Sequence, residues 1–181
     1  YQQICELNND SSIEWFRQNN ILVLGGLLKP RGEEGVRASE LFQSYVIGDN
    51  CAENRDGWTR GEVIEADDVS ALAWKFVGLI ANIKNLVNLN GDGTTINVDP
   101  STSHIEIYAR HLGSTWSVKK PDGSEFCSSA HYGAGTRCEL AGDPVTGITT
   151  IKVYPELPIK AAGPWTLTPA LNTDDFLAYG G

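Results

Sequence analysis

The stretch from Asp67 to Val87 is the longest periodic segment of the chain, and it constrains the fold more than any other. Its apolar residues recur at intervals of three, four and seven, at positions 69, 72, 73, 76, 80, 83 and 87. That spacing places them on one stripe of an α-helix. Asp67 and Asp68 precede the run, where carboxylates can accept hydrogen bonds from free backbone N–H groups at a helix start. The sequence therefore predicts a long helix over Asp67–Val87.

The residues before this helix indicate an α/β unit. Ile21–Leu28 is a continuous apolar run without alternation, which predicts a strand covered on both faces. Val36–Val46 has the pattern of an amphipathic helix, Gly61–Glu65 that of a short strand, and Ser12–Gln18 that of a short helix. Alternating strands and helices are typical of a parallel sheet. Because two strands are too few to stand alone, we expect more sheet upstream or cover from the second half.

The second half has a different pattern, in which apolar and polar residues alternate with period two. Five or more short alternating segments separated by Gly, Pro and Asp turns predict an antiparallel β-sandwich. The clearest of these segments are 95–99, 104–109, 116–119, 147–154 and 164–168. The polar, Gly-rich residues 88–94 mark the boundary. The predicted fold class is therefore α+β, with an α/β unit over 1–90 and a β-sandwich over 91–181.

Composition limits the partners that the chain can have. The 181 residues carry a formal net charge of −9, and the longest basic cluster is the pair Lys119-Lys120. Nucleic acid and anionic membrane surfaces both require concentrated positive charge, so we expect neither as a partner. No apolar run approaches the ~20 residues of a membrane span. The chain has no Met and opens on Tyr1-Gln2-Gln3 without a signal-peptide pattern, so we expect an excerpt or a processed product.

The four cysteines predict disulfides in an oxidising, secreted setting. No two of them form a C-x-x-C pair, and no histidine lies at the spacing of a zinc site. Four cysteines allow three pairings; proximity within each half favours Cys5–Cys51 and Cys127–Cys138. Asn9 begins an Asn-Asp-Ser glycosylation sequon in a polar segment, which also fits secretion.

A series of short motifs in the second half resembles a known family. Val98–Ser101, Ile105–Tyr108, the turn Pro121-Asp122-Gly123 and Gly163–Leu167 follow one another. This series resembles the Ig-like β-sandwich that follows the von Willebrand factor A (VWA) domain in hemicentin-type extracellular proteins. A further Asp-Phe-Leu step at 175–177 is similar to one that such modules carry.

The first half is similar to the C-terminal part of a VWA domain, with Ile21–Leu28 as a late strand and Asp67–Val87 as the closing helix. VWA domains bind a divalent metal through an Asp-x-Ser-x-Ser loop near their start, and no such motif is present here. The family's metal ligands therefore correspond to no position of this sequence. The resemblance implies an extracellular role in adhesion or matrix assembly.

A separate calcium hypothesis concerns the segment after the long helix. Asn88, Asn90, Asp92 and Asp99 partly follow the pattern of a calcium loop, with Gly93 making the turn at position 6. Position 1 is Asn, and position 12 is Asp instead of the bidentate Glu. An ordinary Asn/Asp/Gly turn between two domains explains the same residues. Calcium is the only cofactor that the sequence suggests.

Exposed aromatic residues suggest a contact surface for a protein or a glycan. Trp58 and Trp116 lie in or near loops, where an aromatic face can stack on a sugar ring, although Trp116 is as readily buried. The segment between Cys127 and Cys138 carries His131, Tyr132 and Arg137. We predict that these five residues contribute to the contact surface. The alternative for the segment is an ordinary stapled hairpin.

The predicted function is an extracellular adhesion or matrix- and filament-assembly module without catalysis. It would act through contacts with an extracellular protein or with further copies of itself. No G-x-S-x-G elbow, dinucleotide fingerprint or metal-site spacing points to an enzyme. The alternative is a secreted carbohydrate-binding, lectin-like module that uses its exposed aromatic residues. An enzyme whose site is assembled from several distant loops is the third hypothesis.

Overall fold

The computed structural model describes residues 19–29, 32–47, 61–155 and 162–181. The chain divides into two compact units, Tyr1–Lys75 and Phe76–Gly181. The predicted short helix at 12–18, the sequon at Asn9, the pair Cys5 and Cys51, and Trp58 all lie outside the described residues. In the parts described, the chain consists mostly of antiparallel strands with two α-helices, which confirms the α+β class.

The first unit contains a two-stranded parallel sheet. Strand β1 (Leu24–Leu28) pairs with β2 (Glu62–Ala66), and helix α1 (Glu33–Ile47) lies between them in sequence. The predicted parallel pairing is confirmed. Helix α1 begins three residues earlier than predicted. Glu33 and Glu34 occupy its first turn, where the positive end of the helix dipole stabilises carboxylates.

The prediction that β1 and the residues before it are covered on both faces is wrong for the described part of the chain. Ile21, Leu22 and Leu28 are 40%, 41% and 42% exposed. Gly25 alone in this strand is buried, because the ring of Phe42 in α1 lies against it; a Cβ at Gly25 would be 2.9 Å from Phe42 Cε1. A continuous apolar run shows that a strand favours burial, but a two-stranded sheet does not provide a second layer to bury it.

Helix α2 (Val69–Ile83) is the predicted long helix, and it begins at the predicted carboxylates. Asp68 Oδ1 accepts a hydrogen bond from the backbone N–H of Ala71 at 2.8 Å, which makes Asp68 its N-cap. Of its fifteen residues, which are mostly apolar, only Ala81 is buried. The apolar stripe therefore identified the helix correctly without identifying a buried face.

Helix α2 ends four residues earlier than predicted. Asn85 has a φ of 56°, a left-handed conformation that Asn tolerates better than most residues. The Leu86 N–H donates to the Ala81 carbonyl at 2.9 Å, as in a Schellman C-cap. Val87, which the stripe placed in the helix, instead starts strand β3 (Val87–Asn88). The helical stripe was wrong at this end because a local backbone cap overrides periodicity.

The second unit contains two antiparallel sheets. One has four strands in the order β4-β10-β6-β7, and the other has five in the order β3-β11-β5-β9-β8. The strands after β3 are β4 (Thr95–Val98), β5 (Ile105–Arg110), β6 (Ser117–Lys119), β7 (Glu125–Ser128), β8 (Cys138–Asp143), β9 (Ile148–Val153), β10 (Gly163–Thr168) and β11 (Phe176–Gly180).

One hydrophobic core is shared by the two sheets, so the unit is compatible with the predicted β-sandwich. Alternate residues of strands in both sheets point into this core. Its main members are Ile96, Val98, Ile105, Ile107, Val118, Ile151, Val153, Trp165, Leu167 and Phe176. The first of its longer strands, β4, pairs with β10, and the last strand, β11, pairs with β5. In the immunoglobulin fold the first strand pairs with the second, and the last pairs with the strand before it. Here β4 and β11 have changed places: each lies in the sheet where the immunoglobulin fold has the other.

Candidate functional site

An open cleft with a volume of about 410 Å³ lies in the second unit, along strands β6, β7 and β10. This volume falls within the range of small-ligand sites. We call it the hydroxyl cleft, because five of its nine lining residues are Ser or Thr. The lining consists of Thr115, Trp116, Ser117, Glu125, Ser128, Ser129, Ala130, Thr168 and Pro169.

Three of these hydroxyl groups form a row across neighbouring strands. Thr168 in β10 pairs with Ser117 in β6, and Ser117 pairs with Ser128 in β7. Their sequence neighbours Val118, Cys127 and Leu167 point into the core, so the three hydroxyl residues lie on the opposite face of the sheet. Strands lie ~4.8 Å apart, so the three residues follow one another at about that interval; Thr168 is exposed, Ser117 half-buried and Ser128 buried.

Trp116 lines the cleft, and Tyr132 packs against it from outside the lining. Their ring centroids lie 5.8 Å apart at an interplanar angle of 40°. Trp116 is 5% exposed, whereas Tyr132 is 44% exposed. His131 pairs with Ser128 through the backbone, with N···O distances of 3.2 and 2.9 Å. Three residues predicted for a contact surface, Trp116, His131 and Tyr132, therefore lie together.

The loop that carries Tyr132 is fixed at both ends. Cys127 in β7 and Cys138 in β8 form a disulfide that links the four-stranded sheet to the five-stranded sheet. This is the pairing expected for the second half. The Thr136 hydroxyl lies within hydrogen-bond distance of the carbonyls of Gly133 and Cys138, at 2.7 and 2.9 Å, and its one proton can be donated to either. Arg137, the fourth described residue predicted for the contact surface, is exposed and does not line the cleft.

Glu125 is the one charged side chain that lines the cleft, and the sequence alone did not single it out. It is exposed and lies opposite Lys119 across β6 and β7. The sequence alone did not single out the hydroxyl row either. Ser117, Ser128 and Thr168 are far apart in sequence, and their common row depends on strand pairing. No local signal in the sequence reports that pairing.

A second group of polar residues surrounds Glu106, which lies buried in β5. The Tyr108 hydroxyl donates a hydrogen bond to Glu106 Oε2. Lys84 Nζ and Lys152 Nζ each lie 3.6 Å from Oε1, and His104 Nε2 lies 3.8 Å from it. Burial by itself raises the pKa of Glu106, but the Tyr108 hydrogen bond and the nearby positive charges lower it below its ordinary value. We call these five residues the Glu106 cluster.

The Glu106 cluster connects the end of helix α2 to the five-stranded sheet. Lys84 directly follows α2, while Glu106 and Lys152 are paired in β5 and β9. Burial and the hydrogen bond to Glu106 raise the pKa of Tyr108, so its hydroxyl remains a donor at neutral pH. A carboxylate that accepts from a tyrosine and faces two lysines is a poor general base. This geometry favours a structural role, in which the attraction between Glu106 and Lys84 holds the end of α2 at the five-stranded sheet.

The first two residues of the calcium hypothesis have side-chain oxygens that bond to the protein's own backbone. Asn88 Oδ1 accepts from the Asn90 N–H at 2.8 Å. Asn90 Oδ1 accepts from the Ala178 N–H of β11 at 2.6 Å. Asn90 also forms an isolated bridge with Ile96. These contacts are those of a turn that enters the sandwich.

The remaining two residues lie on either side of strand β4, Asp92 in the turn before it and Asp99 directly after it. The Asp92 carbonyl accepts from the Thr95 N–H at 3.1 Å, and Asp99 Oδ1 accepts from the Ser101 hydroxyl and N–H at 2.6 and 2.8 Å. The hydrogen bonds from Ser101 lower the pKa of Asp99. Within the described residues, no group of three or more His, Cys, Asp or Glu is placed to hold a metal ion. Calcium binding stays a prediction.

The first unit exposes several large apolar side chains. Six of the eleven exposed large apolar side chains in the described residues belong to this unit, although it supplies fewer than half of those residues. They are Ile21, Leu22, Leu28, Val36, Phe42 and Val69. We call them the apolar set. Concentrated apolar exposure of this kind marks surfaces that bind another protein.

Comparison with known proteins gave no match: no family model, no curated protein and no solved structure matches this chain. The function is therefore inferred from the residues of the chain itself.

Proposed function

We propose that the chain is an extracellular assembly module that binds further copies of itself through its α/β unit, without catalysis. The observation that carries this proposal is the apolar set. Burying a fully exposed apolar side chain of this size contributes ~1.5–3 kcal/mol. The members of the apolar set are 37–51% exposed, so each contributes roughly half of that, and an interface that covers several of them is favourable. Isolated exposed apolar residues are ordinary, but their concentration in one small unit is not.

The edges of the two-stranded sheet indicate how copies of the chain would pair. Strands β1 and β2 pair only with each other in the described part of the chain, so each has one edge without a strand partner there. Such an edge presents N–H and C=O groups that pair readily with another strand. A sheet that is open on both sides can add a copy at each edge. That geometry favours assembly over a closed pair.

Two further observations are compatible with an extracellular setting. The Cys127–Cys138 disulfide is typical of oxidising compartments. None of the described helices is long and apolar enough to cross a membrane. We propose that the chain is a relative of the hemicentin-type proteins, with a partial VWA-like unit before an Ig-like sandwich. The parallel β1–α1–β2 order and the following helix α2 support this relation.

The test is sedimentation velocity of the wild-type chain over a wide range of concentrations. We expect its weight-average mass to rise with concentration. The variant Leu28→Lys places a charge on the β1 edge and should keep the chain monomeric. Val145→Lys is the matched control, because Val145 is 76% exposed and lies in the turn between β8 and β9. A wild-type chain that stays monomeric at every concentration would exclude self-assembly.

A further inference from the structure

We propose that the hydroxyl cleft is a binding site for a neutral saccharide. This site lies in the second unit and is independent of the assembly surface proposed for the first. The inference begins with the row formed by Thr168, Ser117 and Ser128. Each hydroxyl both donates and accepts a hydrogen bond. A ligand that satisfies such a row must itself carry several groups that donate and accept, and sugar hydroxyls are of this kind.

The lining of the cleft carries one negative charge and no positive one, since Lys119, which pairs with Glu125 across β6 and β7, is not part of it; this favours a neutral sugar. Glu125 is the one ionisable group in its lining, and its carboxylate can only accept hydrogen bonds. Two neighbouring sugar hydroxyls can donate to its two oxygens, and charge-assisted bonds of this type are the stronger ones. A sialylated or sulfated sugar would bring a second negative charge to Glu125, in a chain whose net charge is −9.

The apolar part of the cleft suits the C–H groups of a sugar ring. Pro169 and Trp116 lie in the lining, and the exposed ring of Tyr132, which is not in the lining, packs against Trp116. An aromatic ring offers a large apolar area and favours particular orientations of the group that packs on it. A pyranose placed over the hydroxyl row would bring its C–H groups toward these rings. An extended peptide would find hydroxyl groups where it needs apolar pockets.

The site is organised before a ligand binds. The Ser129 N–H donates to the Trp116 carbonyl at 2.9 Å, which joins the loop after β7 to the residue before β6. The backbone pair between Ser128 and His131 tightens the start of the same loop. The disulfide at Cys127 then ties β7 to the other sheet. Ligand binding therefore costs little conformational entropy on this side of the cleft.

The experiment is titration calorimetry of the full chain with the methyl glycosides of glucose, galactose, mannose and N-acetylglucosamine. We expect at least one of these to bind. Glu125→Gln should weaken that binding about tenfold or more, because it removes the charge from two hydrogen bonds. Ser117→Ala and Tyr132→Ala should each weaken it several-fold. The matched control is Glu139→Gln, an exposed carboxylate in β8 that does not line the cleft.

Three outcomes would overturn the proposal. The first is that no methyl glycoside binds in the millimolar range. The second is that Glu125→Gln and Glu139→Gln bind the same glycoside equally well. The third is that a sialylated or sulfated glycoside binds more tightly than its neutral parent. Glu125 is exposed, so its substitution should leave the fold intact. Leu28→Lys should not change saccharide binding, which separates this test from that of self-assembly.

Discussion

Among the residues that the structure describes, Glu106 alone is both charged and buried. Its pKa is lowered, so its carboxylate favours the folded state, where Tyr108, Lys84 and Lys152 contact it. We expect Glu106→Gln to lower the free energy of unfolding by about 1–3 kcal/mol at neutral pH. The amide still accepts from Tyr108, but it no longer attracts the two lysines. Urea unfolding, followed by circular dichroism, measures the difference.

The pH dependence of that difference follows from the direction of the shift. A carboxylate whose pKa is lower in the folded state stabilises the fold above the unfolded pKa, and this contribution is lost as pH falls through the folded pKa. The gap between wild type and Glu106→Gln should therefore be full at neutral pH and should shrink in acid. Glu139→Gln, also in the five-stranded sheet but exposed, should change little. A gap of equal size at both pH values would contradict the assignment.

Gly61 shows how closely the backbone is packed in the first unit. A Cβ at this position would lie 2.1 Å from the Val46 carbonyl oxygen of α1, and backbone cannot move aside as a flexible side chain can. We expect Gly61→Ala to destabilise the first unit by about 1–3 kcal/mol. Gly113→Ala is the control, because nothing lies within 4 Å of the added Cβ and its φ is not positive. Hydrogen exchange of β1 and β2 reports the difference, and equal protection in both variants would contradict it.

At the level of elements, the start of helix α2 depends on one carboxylate. Asp68 accepts from the Ala71 N–H, so Asp68→Ala should cost about 1 kcal/mol of stability. The neighbouring Asp67→Ala is a close control. Asp67 contacts Lys29 in an exposed ion pair with an N···O distance of 3.1 Å, and such pairs contribute ~0–1 kcal/mol. Thermal unfolding compares the two variants. A larger loss from Asp67→Ala would show that the surface pair, and not the cap, matters.

The sequence predicted those elements whose pattern is long or strictly alternating. Helices α1 and α2 and strands β4, β5, β6, β9 and β10 all overlap predicted segments, although α1, β5 and β10 extend beyond theirs by one to three residues. Strands β7, β8 and β11 were not predicted, because none of them alternates strictly between apolar and polar residues: β7 has Phe126 and Cys127 side by side, β8 ends in Gly142-Asp143, and β11 is apolar almost throughout. The end of α2 was placed beyond Asn85, since a left-handed cap leaves no trace in the apolar period.

The candidate site was predicted only in part, for a related reason. Trp116 was predicted as an aromatic residue near a loop and Tyr132 as a member of the stapled loop; Trp116 lines the cleft, and Tyr132 packs against Trp116. Glu125 and Thr168 had no such signal, because an exposed Glu or Thr in a strand is ordinary. What makes them members of one site is the order of β10, β6 and β7. That order is a property of the tertiary fold, which short-range patterns do not encode.

For the molecule as a whole, the Cys127–Cys138 disulfide is the covalent link between the two sheets of the second unit. It closes a loop with a sequence separation of 11. Chain entropy predicts that a loop of this size stabilises the fold by about 3 kcal/mol. We expect the double variant Cys127→Ala/Cys138→Ala to lose about that much. Both sulfurs lie in the core, where Ala also leaves a small cavity, so the loss should not be smaller.

The position of the disulfide predicts where that loss is felt. Hydrogen exchange of the double variant should increase first in β7, β8 and the loop between them, because the link joins these two edge strands of different sheets. Peptides from β1 and α1, in the other unit, should exchange as in the wild type. The loop also carries Tyr132, so saccharide binding should weaken even where the sandwich stays folded. Exchange that rises equally in both units would show that the chain unfolds as one body, with the disulfide stabilising all of it.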